Sequence, residues 1–160
     1  MSNARADSVL PRISAAPVAR DCCGLALACE LLGDRWTMLI LREAFYGVSR
    51  FEDLRADLRI PRGVLSMRLA RLVAQGVLEK HPYREEKARV RHEYRLSAQG
   101  HELGPALVAL MQWGDRHIQH RPSPMALVDR QTGEALTVAF VSTSGRVVGR
   151  ADIVTEIAKG

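Results

Sequence analysis

The sequence of 160 residues contains few aromatic side chains, few cysteines and no long apolar run. Aromatic residues make up 5% of the chain, so leucine, valine and alanine must build its interior. No segment approaches the roughly 18 apolar residues that a membrane-spanning helix requires. The first twenty residues also lack the continuous apolar segment of a signal peptide. We therefore expect a cytoplasmic protein with one main core and no membrane partner.

The chain also lacks the residue patterns that are typical of enzymes. It contains no glycine-rich loop that would hold a phosphate, and no nucleophile with an evident histidine and carboxylate arrangement. Its five histidines show no spacing typical of metal ligands. We therefore expect a protein that is not an enzyme and that holds neither a cofactor nor a metal.

What the chain does have is positive charge concentrated in one segment. The net charge is +5 and the isoelectric point is near 9.6. Between Pro61 and Arg95 the sequence contains nine Lys or Arg against four Glu, so this segment alone carries the whole excess. A basic segment of this kind favours a polyanion such as nucleic acid as the partner.

The segment PRGVLSMRLARLVAQG predicts an amphipathic helix with a basic outer face. Leu65, Leu69 and Leu72 recur at the spacing of one buried helical stripe, and Gly76 is suited to the helix end. The residues outside the stripe are polar, small or basic and form the outer face of this helix: Arg62, Ser66, Met67, Ala70 and Arg71, with Arg68 on its flank. Such a face requires a partner or solvent.

The elements around this helix outline a winged helix-turn-helix. Residues 23–32 predict an apolar helix, capped by Asp21 and buried nearly all round, against the rest of the chain or a second subunit. A core helix and a short helix follow. After the basic helix, the pattern changes to an alternation at every second residue, which predicts a β-hairpin. One closing helix is predicted from about Ala98 to His117.

We therefore predict a mainly α-helical fold with a β-hairpin wing, in three parts. Residues 1–20 are expected to form a flexible arm, and residues 21–120 a winged helix-turn-helix domain for DNA binding and dimerisation. Residues 121–160 contain two alternating β-like runs with turns at Gly133 and Gly145, which predict a small strand-rich extension. The sequence leaves open whether that extension keeps a metal-free ribbon or serves oligomerisation or effector binding.

Several short motifs in this order resemble the HxlR-type bacterial transcriptional regulators. They are a cysteine-led first helix, Leu-Gly-x-Arg-Trp ending at Trp36, Arg-Phe-x-x-Leu from Arg50, Leu-Ser-x-Arg-Leu from Leu65, and Tyr-x-Leu-Ser from Tyr94. The resemblance implies a homodimer joined through the first and last helices. It further implies that each basic helix enters a major groove of a pseudo-palindromic operator, and we expect a repressor.

This resemblance places the candidate site residues on two surfaces. Arginine can pair with guanine or phosphate and a serine hydroxyl suits either, so the recognition helix would contact double-stranded DNA through Arg62, Ser66, Met67, Arg68 and Arg71. The backbone and wing contacts would be Arg50, Lys87, Arg89 and Arg91. Two alternatives stay open: Arg68 pairs with a neighbouring carboxylate instead, and the charged wing tip is only a solvated turn.

The cysteines raise a separate question of regulation. Cys23 matches the family's cysteine at the start of the first helix, which in some members senses oxidants or electrophiles, and Cys22 lies beside it. A helix N-terminus favours the reactive thiolate. The alternative is that a small thiol simply packs in the dimer interface. The effector stays undetermined, and a winged-helix module that binds protein instead of DNA is the competing function.

Overall fold

The protein was analysed as a computed structural model that describes residue 16 and residues 18–84, 89–119, 121 and 123–155. Most of the flexible arm predicted for residues 1–20 lies outside the described residues. The helices are α1 Gly24–Leu32, α2 Arg35–Phe45, α3 Phe51–Leu58, α4 Arg62–Ala74, α5 Ala98–His101 and α6 Gly104–Gly114. The strands are β1 Leu78–Tyr83, β2 Arg91–Leu96, β3 Phe140–Val141 and β4 Val147–Val148. The predicted fold class is confirmed.

The core lies between α2, α3 and α4. Ile40 and Leu41 of α2 are fully buried together with Leu54 of α3 and with Leu65 and Leu69 of α4. The leucine stripe predicted for α4 is thus its buried side, and burial of these side chains is the main stabilising contribution to the three-helix unit. The opposite side of α4 is left at the surface.

α1 is less buried within one chain than its composition predicts. Leu25 is 74% exposed and Leu27 is 48% exposed, so the expectation of burial all round is wrong for the single chain. The predicted cap is also wrong: Asp21 lies in a short 3-10 turn, and Cys23 occupies the N-cap position. The exposed leucines leave an apolar surface on α1.

A tight turn positions α4 after α3. Arg59 ends α3 in the left-handed conformation with φ of +50°, which turns the chain sharply. Pro61 then occupies the N-cap position of α4, one residue before the first turn, where its fixed φ and missing N–H cost nothing. The turn directs α4 across α2, with which α4 shares the core.

The hairpin pairs β1 with β2 antiparallel and begins directly after α4. Leu78 lies opposite Leu96, and Tyr83 lies opposite Arg91 at the far end. Ser97 ties the base of the hairpin to α5, because its hydroxyl donates to the Gly76 carbonyl at 2.5 Å and accepts from the Gly100 amide at 3.0 Å. The predicted hairpin wing is confirmed, and residues 85–88 lie outside the described residues.

The closing helix is broken, and the prediction of one helix from Ala98 to His117 is wrong. α5 ends at His101 and α6 begins at Gly104, with Pro105 in its first turn. A proline inside a continuous helix would lack the N–H for its own hydrogen bond and would clash with the carbonyl of His101, four residues earlier. The chain therefore ends one helix and starts another.

The C-terminal extension forms two short antiparallel pairings, each around a turn. Val128 pairs with Ala135 around a turn at Gly133, and β3 pairs with β4 around Gly145. Both glycines have positive φ, +73° and +83°, as the predicted turns require. In the described part of the chain, every helix is too short or too polar to cross a membrane.

Candidate nucleic-acid interface

The centre of the α4 outer face is small and apolar. With Leu65 and Leu69 buried, the positions furthest from the core are Gly63, Met67 and Ala70, and all three are exposed. Met67 is the largest of them, with 56% of its surface exposed. α4 contains no acidic residue of its own, so the arginines on its two sides give this face a positive charge.

Arg62 lies at the start of α4 and is held by α3. Its Nη1 is 2.9 Å from Oε1 of Glu52, and its guanidinium lies 5.2 Å from the centre of the Phe51 ring. The side chain is still 69% exposed. Desolvation raises the pKa of the Glu52 carboxyl, but the guanidinium groups of Arg55 and Arg62 outweigh it and hold that pKa below its usual value. Glu52 therefore stays ionised and orients Arg62.

Arg68 makes the carboxylate pair that the sequence left open as an alternative. Its Nε lies 3.3 Å from Oδ1 of Asp34, and only 23% of the Arg68 side chain is exposed. Asp34 is also the N-cap of α2, accepting from the amides of Trp36 and Thr37 at 3.1 Å each. Burial raises the pKa of Asp34. Hydrogen bonds from Thr37 and the charge of Arg68 lower that pKa by more than burial raises it, so the pKa lies below its usual value.

Arg71 also reaches toward the first two helices. Its Nη2 donates to the backbone carbonyl of Glu30 in α1 at 2.5 Å, and the residue is exposed. Arg68 and Arg71 thus lie on the side of α4 that faces α1 and α2, whereas Arg62 and Ser66 lie on the side that faces the hairpin.

A polar groove of about 460 Å³ separates the start of α4 from the hairpin. Arg62, Ser66 and Arg91 line it together, so the structure joins two recognition-helix residues with one wing residue. Tyr83, opposite Arg91 in the hairpin, also lines the groove, and the guanidinium of Arg50 lies 4.5 Å from the centre of its ring. The predicted backbone contact Arg50 thus lies beside the wing.

The outer part of the wing is only partly described. Arg89 and Arg91 are both exposed. Lys87 lies outside the described residues, so its predicted contact with DNA stays a prediction.

The cysteines lie in and beside α1: Cys22 and Cys23 precede its first residue, and Cys29 lies in its second turn. Cys22 and Cys29 are exposed and Cys23 is partly buried, and all three are free thiols. Cys23 makes no side-chain hydrogen bond to the first turn of α1, although it occupies the N-cap position.

Sequence reasoning missed three residues of this surface. An aspartate directly before an apolar helix is a standard N-cap signal, so Asp34 was detectable as a cap. Its pairing with Arg68 was not, because that contact depends on how α4 packs on α2. Glu52 and Tyr83 gave no signal of their own, since they reach Arg62 and Arg50 only in the folded chain.

The fold is that of a winged helix-turn-helix protein. α2, α3 and α4 surround one core, the hairpin follows the basic helix α4 directly, and a groove separates α4 from the hairpin. Residues 31–122 match the model of the HxlR-like helix-turn-helix family, and the chain belongs to that family. The resemblance read from the short motifs is confirmed.

Two relatives and one solved structure show how far the similarity extends. Rv3095 of Mycobacterium tuberculosis (strain ATCC 25618 / H37Rv), an uncharacterised HTH-type transcriptional regulator, is 50% identical over 97 residues. That match spans 61% of this chain and 60% of the relative, so more than a third of the relative lies outside it. The uncharacterised HTH-type transcriptional regulator sll1512 of Synechocystis sp. is 32% identical over 113 residues, covering 70% of this chain and 80% of the relative.

The solved structure extends the similarity beyond the winged helix. The crystal structure of PA1607, a candidate transcription factor, superposes with a TM-score of 0.71 at 31% identity. The superposed residues cover 86% of this chain and 95% of PA1607. The shared fold thus includes most of the described residues.

Proposed function

We propose that the protein is a transcriptional regulator that binds double-stranded DNA as a homodimer, with α4 in the major groove. The observation that carries the proposal is the α4 outer face. This side of α4 is exposed at Gly63, Met67 and Ala70, has arginines on both flanks, and belongs to a helix without acidic residues. The names of the relatives and of the solved neighbour agree with this function.

The geometry of α4 suggests that different residues make different kinds of contact with the operator. Met67 and Ala70 at the centre of the face suit contacts with thymine methyl groups, and Arg62 and Ser66 suit hydrogen bonds to guanine or phosphate. Arg71 would contact DNA from the other side. Arg68 pairs with Asp34, so it is the least available of these residues and would chiefly hold α4 in position.

Contacts outside α4 would fix the protein on the DNA backbone. Arg91 reaches the groove beside α4, and Arg89 follows the tip of the hairpin, so both suit phosphates next to the major groove. Arg50 beside Tyr83 and Lys87 at the tip complete the proposed set.

Dimerisation through the first and last helices is part of the proposal. α1 exposes Leu25 and Leu27, and α6 exposes Leu110 and Trp113, which is 52% exposed. Exposed apolar residues on two helices are expected where a second copy packs. A symmetric dimer would place two copies of α4 about 34 Å apart, which matches a pseudo-palindromic operator, and a dimer of this size would act as a repressor by blocking the promoter.

Oxidation of the thiols is the proposed means of regulation. Cys23 begins a helix of the proposed interface and Cys22 beside it is exposed, so a disulfide between subunits would change the spacing of the two recognition helices.

The proposal is tested by fluorescence anisotropy with the promoter fragment upstream of the protein's own gene and a scrambled duplex of equal length. We expect tight binding to the promoter alone, with saturation at two chains per operator. With diamide, we expect release that is abolished in Cys23→Ser. Equal binding to both duplexes, insensitive to salt, would instead favour a winged-helix module that binds another protein.

A further inference from the structure

An apolar cavity lies between α2, α6 and the start of the C-terminal extension. Its volume is about 480 Å³, within the range of roughly 300–1,000 Å³ typical of small-molecule sites. α2 contributes Met38 and Phe45 to the walls, and α6 contributes Leu107 and Val108. The cavity is separate from the DNA-binding groove and shares no lining residue with it.

The extension forms a wall of this cavity and is anchored there. Met125 and Leu127 line the cavity from the extension. Gln112 of α6 fixes the extension through both ends of its amide: Nε2 donates to the Leu136 carbonyl and Oε1 accepts from the Val138 amide, at 3.1 Å each. These two hydrogen bonds tie residues 136–138 to α6, and the Leu136 amide donates in turn to the carbonyl of Leu127 in the cavity wall at 2.8 Å.

One charged group lies at the rim. Among the described residues that line the cavity, Arg42 alone carries a charge. Its guanidinium lies 4.7 Å from the centre of the Tyr46 ring and its side chain is 52% exposed. Nη1 pairs with the buried carboxylate of Glu43, but a guanidinium has five N–H donors and can also bind a second anionic group.

We propose that this cavity binds a small aromatic compound that carries one acidic group, of the benzoate or naphthoate type. The apolar walls select an apolar body, the Phe45 and Tyr46 rings and the Met38 thioether favour an aromatic one, and Arg42 selects a carboxylate at the rim. The chemical class follows from the lining alone and does not depend on DNA binding.

The cavity is well placed to influence the recognition helix. α2 forms one wall of it, and Ile40 and Leu41 of the same helix share the core with Leu65 and Leu69 of α4. A compound that shifts α2 would shift the support of α4. This role as an effector site rests on the proposed function, whereas binding itself does not.

Binding is measured by isothermal titration calorimetry of the full chain with 2-naphthoate and its neutral analogue 2-naphthamide, in the absence of DNA. We expect one site per chain for both compounds. Arg42→Gln should weaken 2-naphthoate binding about tenfold, the value of a charge-assisted hydrogen bond, and leave 2-naphthamide unchanged. Arg35→Gln on the same helix, outside the cavity, is the matched control and should bind both compounds as the wild type does.

A second pair of variants tests the location. Val108→Trp should fill the cavity and abolish binding, whereas Val147→Trp, on the exposed surface of β4, should not. If Val108→Trp fails to fold, Met125→Trp fills the same space from the extension. Three results would overturn the proposal: absence of binding to the wild type, unchanged affinity in the cavity-filling variant, or affinity that falls as the chain dimerises. The last would show that a second copy occupies the cavity. Because no DNA is present, none of these results bears on the proposed DNA binding.

Discussion

At the scale of single residues, Asp34 connects the recognition helix to the helix beneath it. Its carboxylate caps α2 through the amides of Trp36 and Thr37 and pairs with Arg68 of α4. The cap fixes where α2 begins, and the ion pair fixes how α4 lies on it. A base-reading helix must be held rigidly, because its side chains act over hydrogen-bond distances.

Replacing Asp34 should therefore lower stability in a graded way. We expect Asp34→Ala to lower the free energy of unfolding by about 1–2 kcal/mol, since it removes an N-cap worth about 1 kcal/mol and a partly exposed ion pair. Asp34→Asn keeps a side chain that caps well and should cost less. Urea unfolding followed by circular dichroism at neutral pH measures both.

The same variants give a pH dependence with a defined sign. The pKa of Asp34 is lowered in the folded protein, so its contribution is complete above the unfolded-state pKa and is lost as the pH falls through the folded-state pKa. The difference between wild type and Asp34→Asn should shrink on acidification. A difference that stays constant or grows would contradict the assigned role of the carboxylate.

At the scale of elements, two glycines at the ends of α4 have opposite requirements. Gly76 follows α4 with φ of +72° and starts the hairpin, and a Cβ there would come within 3.0 Å of Gln99 Oε1. Gly63 lies in the first turn of α4, where a Cβ would meet open space. Replacement of glycine by alanine should therefore have opposite effects on stability at Gly76 and at Gly63.

Gly76→Ala should lower the free energy of unfolding by about 1–2 kcal/mol, because an L-residue is strained at positive φ. Gly63→Ala should raise it by up to about 1 kcal/mol, because alanine favours the helix. Thermal unfolding of the two variants side by side measures both effects. Equal destabilisation by the two would show that the turn after α4 does not require a glycine.

The elements also show what the sequence could predict. The leucine stripe of α4 and the period-two hairpin depend on local patterns, and both were predicted correctly. The break before α6 was missed, although Pro105 signalled it, because the apolar pattern continued through it. The exposure of Leu25, the pairing of Arg68 with Asp34 and the groove between Ser66 and Arg91 depend on tertiary packing, which no local pattern encodes.

At the scale of the whole molecule, the exposed apolar residues of α1 and α6 form the proposed dimer interface. Leu25→Arg places a charge in the centre of the proposed interface and should weaken dimerisation at least about tenfold. Sedimentation equilibrium measures this change. Val147→Arg is the control, since Val147 is 66% exposed in the extension, outside that interface. A wild-type chain that stays monomeric, or equal effects of the two variants, would contradict dimerisation through α1.

The whole molecule thus combines three surfaces on one small core. The α4 outer face and the groove beside the hairpin form the proposed DNA surface, and the apolar sides of α1 and α6 form the proposed dimer surface. The proposed ligand cavity lies under the extension and shares Leu110 with the dimer surface. α2 contacts or supports all three.

The most direct test of the central claim is the salt dependence of operator binding in two matched variants. Arg62→Ala changes the α4 outer face, and Arg130→Ala removes another exposed arginine, from a turn of the extension. We predict that Arg62→Ala weakens promoter binding and changes the slope of affinity against salt by about one unit, whereas Arg130→Ala changes neither. If the two variants bind as tightly and as salt-dependently as each other, α4 is not the surface that reads DNA.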